Sequence, residues 1–130
     1  CEKVLLYQED SMIFGNNIQD FIHYDYIGAP WPKFYRGSRT NEKGVGNGGF
    51  SLRNPEIMRQ CIARMNEKCG DTYDTFPEDL FFTNSMIEFN IGNLSNWEDA
   101  QKFSQENVKS DNPFGGHQFW NIGKCHIFII

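Results

Sequence analysis

Val45-Gly46-Asn47-Gly48-Gly49-Phe50-Ser51-Leu52-Arg53-Asn54-Pro55 is the stretch on which the fold turns. Gly46, Gly48 and Gly49 free the backbone for positive φ and for close approach of another group, which predicts a tight turn or bulge feeding a strand. Phe50-Ser51-Leu52-Arg53 is the strand that this turn feeds. Asn54-Pro55 then supplies an N-cap and a proline pre-set for the first helical position. The spacing predicts a helix over 55–68, with Ile57, Met58, Cys61, Ile62 and Met65 on one face and Gly70 as the stop. A strand that hands directly to a helix points to an α/β unit.

Upstream, Lys3 to Gln8 reads as a buried strand ending at Glu9-Asp10-Ser11. Residues 17–24 suggest a short helical turn, and Tyr26-Ile27-Gly28-Ala29 is a short apolar run stopped by Pro30-Trp31-Pro32. Residues 33–44 are polar and Gly-containing, a long loop and a candidate mobile lid. Downstream, Pro77-Glu78-Asp79 opens a second helix to about Ile87, and Ser95-Asn96-Trp97-Glu98 is a capping box for a third. Pro113-Phe114-Gly115-Gly116-His117 reads as a flexible approach to a late histidine. Strands and helices alternate, so the expected class is α/β, a mixed sheet flanked by helices.

The 130 residues suit a single domain, residues 1–130. A net charge of −5 without a basic stripe argues against nucleic acid as a partner. No apolar run approaches the roughly 18 residues of a membrane span. The four cysteines at 1, 61, 69 and 125 form no CxxC pair, which suits reduced thiols and a cytoplasmic setting. A zinc site from Cys69, Cys125 and His126 has little support in the spacing. The chain opens at Cys1 and almost at once enters an apolar strand, so it reads as a piece of a longer protein.

Four elements could carry chemistry. Asp10, behind an apolar strand, could hold a divalent cation; an acidic turn is the plainer explanation. The glycines could bring backbone to a ligand, although a tight hairpin needs them equally. In the acid pair, Glu78 and Asp79 could include a general base, and they equally complement the helix dipole. His117, with Trp120 nearby, could be a metal ligand or an ordinary core or surface histidine. The more telling feature is their order along the chain: carboxylate, glycine-rich segment, acid pair, late histidine.

That order resembles the GT-A class of glycosyltransferases. More closely, the chain is similar to glycosyltransferase-like domains of large DNA viruses and cellular microbes. The matching strings are Gln8-Glu9-Asp10-Ser11, Tyr24-Asp25-Tyr26-Ile27-Gly28-Ala29-Pro30-Trp31, and Val45 to Arg53. Pro77-Glu78-Asp79-Leu80-Phe81-Phe82, Glu98 to Ser104, and Pro113 to His117 follow in order. The resemblance implies transfer of a sugar from a nucleotide-sugar donor to a hydroxyl on a glycan or protein acceptor, with inversion and metal assistance. It implies Asp10 and His117 as ligands of a Mn or Mg ion and Asp79 as catalytic base beside Glu78. Asn47, Gly48 and Gly49 would meet donor or acceptor, with Trp31, Trp97 and Trp120 as stacking candidates. The DxD motif is reduced to Glu9-Asp10-Ser11, and the nucleotide-binding half that precedes it in the class is missing, so this is expected to be the acceptor-side half. A non-catalytic carbohydrate-binding or scaffold domain is the alternative, and a metal-dependent hydrolase with water as acceptor is a third.

Overall fold

The computed structural model describes residues 2–33, 40–75 and 77–118. It is a mixed α/β fold of three helices and two three-stranded sheets. The strands are β1 (Val4–Tyr7), β2 (Ser11–Ile13), β3 (Tyr26–Pro30), β4 (Val45–Arg53), β5 (Ser104–Gln105) and β6 (Gly115–His117). The helices are α1 (Pro55–Cys69), α2 (Glu78–Phe89) and α3 (Trp97–Phe103), with a 3-10 turn at Ile18–Asp20.

The first sheet runs β1-β4-β3 and is antiparallel throughout. The second runs β2-β6-β5, with β2 antiparallel and β5 parallel to β6. One continuous mixed sheet is therefore replaced by two small ones. The turn closed by Ser11 N–H on the Gln8 carbonyl at 3.0 Å carries the chain from one to the other.

Alternation along β3 and β4 builds a core on each face of the first sheet. Ile27, Phe50 and Leu52 join Phe21, Tyr24, Phe103 and Phe114 on one side. Tyr26 and Val45 join Met58, Cys61, Met86, Leu94 and Ala100 on the helix side. Ser51 and Arg53, one residue out of phase with Phe50 and Leu52, therefore face α2.

Asn54 caps α1 as expected, its Oδ1 accepting from Glu56 N–H at 3.0 Å, and Gly70 ends the helix at φ 68°. Ile62 departs from the expected face: it is exposed while Met58 and Cys61 are buried, because α2 covers only a narrow stripe of α1. The third helix starts one residue later than its capping box suggested. Asn96 is the cap, accepting from Asp99 N–H at 2.7 Å, and Ser95 is buried with its N–H on the Tyr26 carbonyl.

Strand β1 is not buried. It is an edge with Val4, Leu6 and Tyr7 exposed and only Leu5 packed on the aromatic core. The glycine-rich segment is no separate turn but lies inside β4, and the pairing with β3 shifts register at Gly28/Ala29 and Ala29/Pro30. The Asn47 carbonyl fills the space where a Gly28 side chain would stand. Gly115-Gly116-His117 is likewise no flexible loop but the buried central strand β6, and Gly115 gives way to the Phe50 ring. Residues 34–39 of the expected lid lie outside the described residues, as do Trp120, Cys125 and His126. The far end of that segment is anchored: Asn41 Nδ2 donates to the Val45 carbonyl at 2.7 Å and to Thr83 Oγ1 at 2.8 Å. Among the described residues no helix is long and apolar enough to cross a membrane.

Candidate functional site

The two kinds of pairing on β6 create a cluster at its C-terminal end. Antiparallel β2 places its start opposite the end of β6, with Ser11 across from His117. Parallel β5 places its end there too, with Gln105 across from Gly116. Asp10 precedes β2 and Glu106 follows β5, so a carboxylate flanks His117 on each side. His117 Nε2 lies 2.9 Å from Asp10 Oδ1, and Nδ1 lies 3.2 Å from Glu106 Oε2. Asp10 and His117, from opposite ends of the chain, thus come together.

Both contacts are at ion-pair distance, yet neither has the alignment of a hydrogen bond. Asp10 Oδ1, Glu106 Oε2 and both His117 ring nitrogens are buried without a hydrogen-bond partner. Each such atom costs about 1–3 kcal/mol when left unsatisfied. The four face one another in two pairs across the ring, so each acid oxygen is set against a ring nitrogen at ion-pair distance. The other Asp10 oxygen is held by Gln118 Nε2 at 3.0 Å.

Strand β4 supplies the floor. Where Gly49 would carry a Cβ, the His117 ring stands. Where Gly48 would carry one, Glu78 Oε1, Arg53 Nη2 and Asp79 Cβ lie within 2.7–3.0 Å. The two glycines therefore admit side chains of this chain: the histidine on one and the acid pair on the other. Neither has positive φ; within this strand that role falls to Gly46, at φ 99°. Ser11 Oγ donates to the Gly49 carbonyl at 3.3 Å and ties the two sheets at this point. Asn47 Oδ1 accepts from Gly49 N–H at 3.3 Å.

A substitution tests this floor. Gly49→Ala drives a methyl into a buried imidazole held between two acids. It is expected to lower stability by about 1–3 kcal/mol, as overpacking does. Chemical denaturation measures it, and a stability equal to wild type would show that the ring moves aside freely.

The acid pair divides its duties. Asp79 reaches back to β4: Oδ2 accepts from Gly48 N–H at 3.1 Å and Oδ1 from Leu80 N–H at 2.8 Å. Glu78 binds Arg53 through both oxygens, at 2.6 and 2.8 Å. Burial pushes the Glu106 carboxyl up, more than His117 and Asn47 draw it down, and the charge of Asp79 adds to the rise. Asp79 and Glu106 therefore feel one another across Gly48-Gly49.

Residues 1–117 match the family described as "Protein of unknown function (DUF5672)". The chain belongs to that family. No curated protein and no solved structure matches it. The matched span covers Asp10, Asn47 to Gly49, Glu78, Asp79, Glu106 and His117, all the members of the cluster.

The remaining sequence candidates lie elsewhere. Trp31 is buried, its carbonyl accepting the Trp97 indole N–H at 2.9 Å. Trp97 is half-buried under Lys33, whose Nζ sits 4.3 Å from the ring centroid. The strings that carry the resemblance away from the cluster act as braces. Tyr24 donates to Asp99 at 2.6 Å, and burial with that carboxylate pushes its hydroxyl up to about 12. Burial pushes Asp25 up, but Asn54, Lys3 and the Asn93 N–H outweigh it and hold the carboxyl below its usual range. Cys61 and Cys69 are free thiols, the first buried and the second exposed.

Glu106 was invisible in the sequence. It sits in Ser104-Gln105-Glu106-Asn107, which carries no periodicity and reads as a polar loop. Only the parallel pairing of β5 brings it to His117.

Two carboxylates and an imidazole suit a hard or borderline divalent cation. Among the described residues, however, no three His, Cys, Asp or Glu side chains are disposed to hold a metal ion by themselves. The reason is geometric: His117 shows a different nitrogen to each acid. Asp10 therefore meets only Nε2 of the ring, and Glu106 only Nδ1.

Proposed function

We propose that this chain is the catalytic, acceptor-side part of a GT-A-class glycosyltransferase, moving a sugar from a nucleotide-sugar donor to a hydroxyl acceptor with inversion. The observation that carries the reading is the meeting of Asp10 and His117 next to the glycines that touch Asp79. A Mn or Mg ion at Asp10 and His117, when bound, would neutralise the charge that gathers on the departing diphosphate. Asp79 takes the proton of the acceptor hydroxyl as its oxygen bonds to the anomeric carbon. The bond from that carbon to the diphosphate oxygen breaks, and its electron pair leaves with the nucleotide. Glu78, committed to Arg53, shapes the turn that presents Asp79. The free thiols are compatible with work in the cytoplasm.

The backbone bonds on both oxygens of Asp79 favour a second reading, a carbohydrate-binding domain in which Asp79 only braces β4. Turnover of UDP- and GDP-sugars by the full-length protein separates the readings. The assay is run with Mn2+, Mg2+ or chelator, and with or without an acceptor glycan. Consumption that requires an acceptor supports the transferase, and Asp10→Asn or His117→Gln should then lower it by about 10²–10³-fold. Equal consumption with water alone makes the protein a hydrolase. Glycan binding with no consumption of any donor makes it a binding domain.

A further inference from the structure

We propose that Asn41 is a positioning residue: acting through Thr83, it fixes the first turn of α2 and so sets where the Asp79 carboxylate stands over Gly48. The inference rests on the reading of Asp79 as the base and is independent of any cation.

Asn41 belongs to no helix or strand, yet it is buried. Its amide is fully used, since an asparagine has two hydrogens to donate and one oxygen to accept with. Oδ1 accepts from Lys43 N–H at 3.0 Å and from Val45 N–H at 3.4 Å. Nδ2 donates to the Val45 carbonyl at 2.7 Å. Those bonds close the turn that enters β4. The remaining Nδ2 hydrogen leaves the turn for α2, where Thr83 Oγ1 accepts it at 2.8 Å.

Thr83 is itself fully buried and hands the connection on, its hydroxyl donating to the Asp79 carbonyl at 2.9 Å. A hydroxyl has a single hydrogen, so the direction of the whole relay is fixed: Asn41 amide to Thr83 hydroxyl to Asp79 carbonyl. The Thr83 methyl meanwhile stands where a Gly46 side chain would be, which seats α2 on the left-handed kink of β4. The bonds from β4 to the first turn of α2, Gly48 N–H to Asp79 and Arg53 to Glu78, both end on carboxylates. A base that takes a proton becomes a poorer acceptor, so the Gly48 bond weakens at the moment of transfer. The relay from Asn41 ends on a main-chain carbonyl and keeps its strength through that step.

Thr83→Val isolates the link, because it removes the hydroxyl and keeps the methyl on Gly46. The first readout is amide hydrogen exchange of Gly48 in the full-length protein, with Leu52 of the same strand as reference. Thr83→Val is expected to speed exchange at Gly48 about tenfold, the worth of one hydrogen bond, and to leave Leu52 unchanged. Thr83→Ser, which keeps the hydroxyl, should restore most of the protection. Asn41→Ala should speed Gly48 at least as much, and adding Thr83→Val to it should change nothing further. The second readout is transfer from a UDP- or GDP-sugar, well below the Tm of each variant. There Thr83→Val should lower kcat up to about 10²-fold with KM unchanged, as a misplaced catalytic group does. In the Asp79→Asn background the same change should cost nothing more, whereas a purely structural role would cost the same factor in both backgrounds. Unchanged Gly48 exchange in Thr83→Val, additive effects of Asn41→Ala and Thr83→Val, or equal rate losses in both backgrounds would overturn the role of Asn41. A wild type that transfers no sugar, or an Asp79→Asn that transfers as fast, would instead remove the base reading, and this inference with it.

Discussion

Asp79→Asn is expected to lower the rate of sugar transfer by about 10²–10⁴-fold, the usual contribution of a general base. The change is nearly isosteric. Asn Oδ1 can still accept from Gly48 N–H, now 3.1 Å from Asp79 Oδ2, so β4 and α2 stay joined, while the bond that Leu80 N–H now makes to Oδ1 at 2.8 Å is lost. What disappears is the ability to take a proton. Donor affinity should hold, because the proposed contacts to the diphosphate run through Asp10 and His117. The measurement is single-turnover transfer against donor affinity for wild type and variant. A loss below about threefold would assign Asp79 to bracing alone and favour the binding-domain reading. A parallel loss of donor affinity would mean that the floor under His117 had shifted, which unfolding in the same buffer would reveal.

How much of this was legible in the sequence depended on range. Signals complete within a few residues survived folding. Asn54-Pro55 starts α1 where it was expected, and Pro77 precedes α2. Signals that depend on a partner did not. Val4 to Tyr7 reads as buried because it is continuously apolar, yet β1 has a neighbour on one side only and its outer residues stay exposed. Strands β2 and β6 are three residues each, and Gly115-Gly116-His117 has no alternation to betray a strand. The convergence of Asp10 on His117 was anticipated through a family resemblance, not through any local pattern. Its physical cause is the register of β2 on β6, which no single stretch encodes. The glycines show the same division. Their composition announced close approach, but the approaching groups are His117, Glu78 and Asp79, contributed by two distant segments.

Glu78→Gln is expected to act on stability, in contrast to its neighbour. The pair with Arg53 is unequal: the arginine side chain is 6% exposed and the glutamate 55%. Burial works against the Arg53 charge, and Glu78 more than restores it, so the guanidinium is held above its ordinary range. Without the carboxylate, the buried cation keeps Ser51 Oγ at 3.0 Å, the Tyr26 and Phe82 rings at 4.6 and 5.8 Å, and the neutral oxygen of the new amide. A charge-assisted hydrogen bond is worth about 1.5–3 kcal/mol, and stranding one buried partner of an ion pair costs up to about 3–5 kcal/mol. Solvent at Glu78 can reach part of the site and reduces this, so a loss of about 2 kcal/mol is expected. At about 4 °C per kcal/mol for a chain of this size, Tm should fall by about 8 °C. Arg53→Met should cost less, about 1 kcal/mol, because the carboxylate left behind is already half in water. The double variant should match Arg53→Met alone, since no buried charge remains to be stranded. Thermal unfolding of the three variants checks the order. If Glu78→Gln proves no less stable than Arg53→Met, the pair is a surface bridge and the buried guanidinium is satisfied without it. Because Glu78→Gln loosens the turn that carries Asp79, its transfer rate is to be compared with that of Asp79→Asn well below its own Tm. There it should stay within about tenfold of wild type, while Asp79→Asn does not.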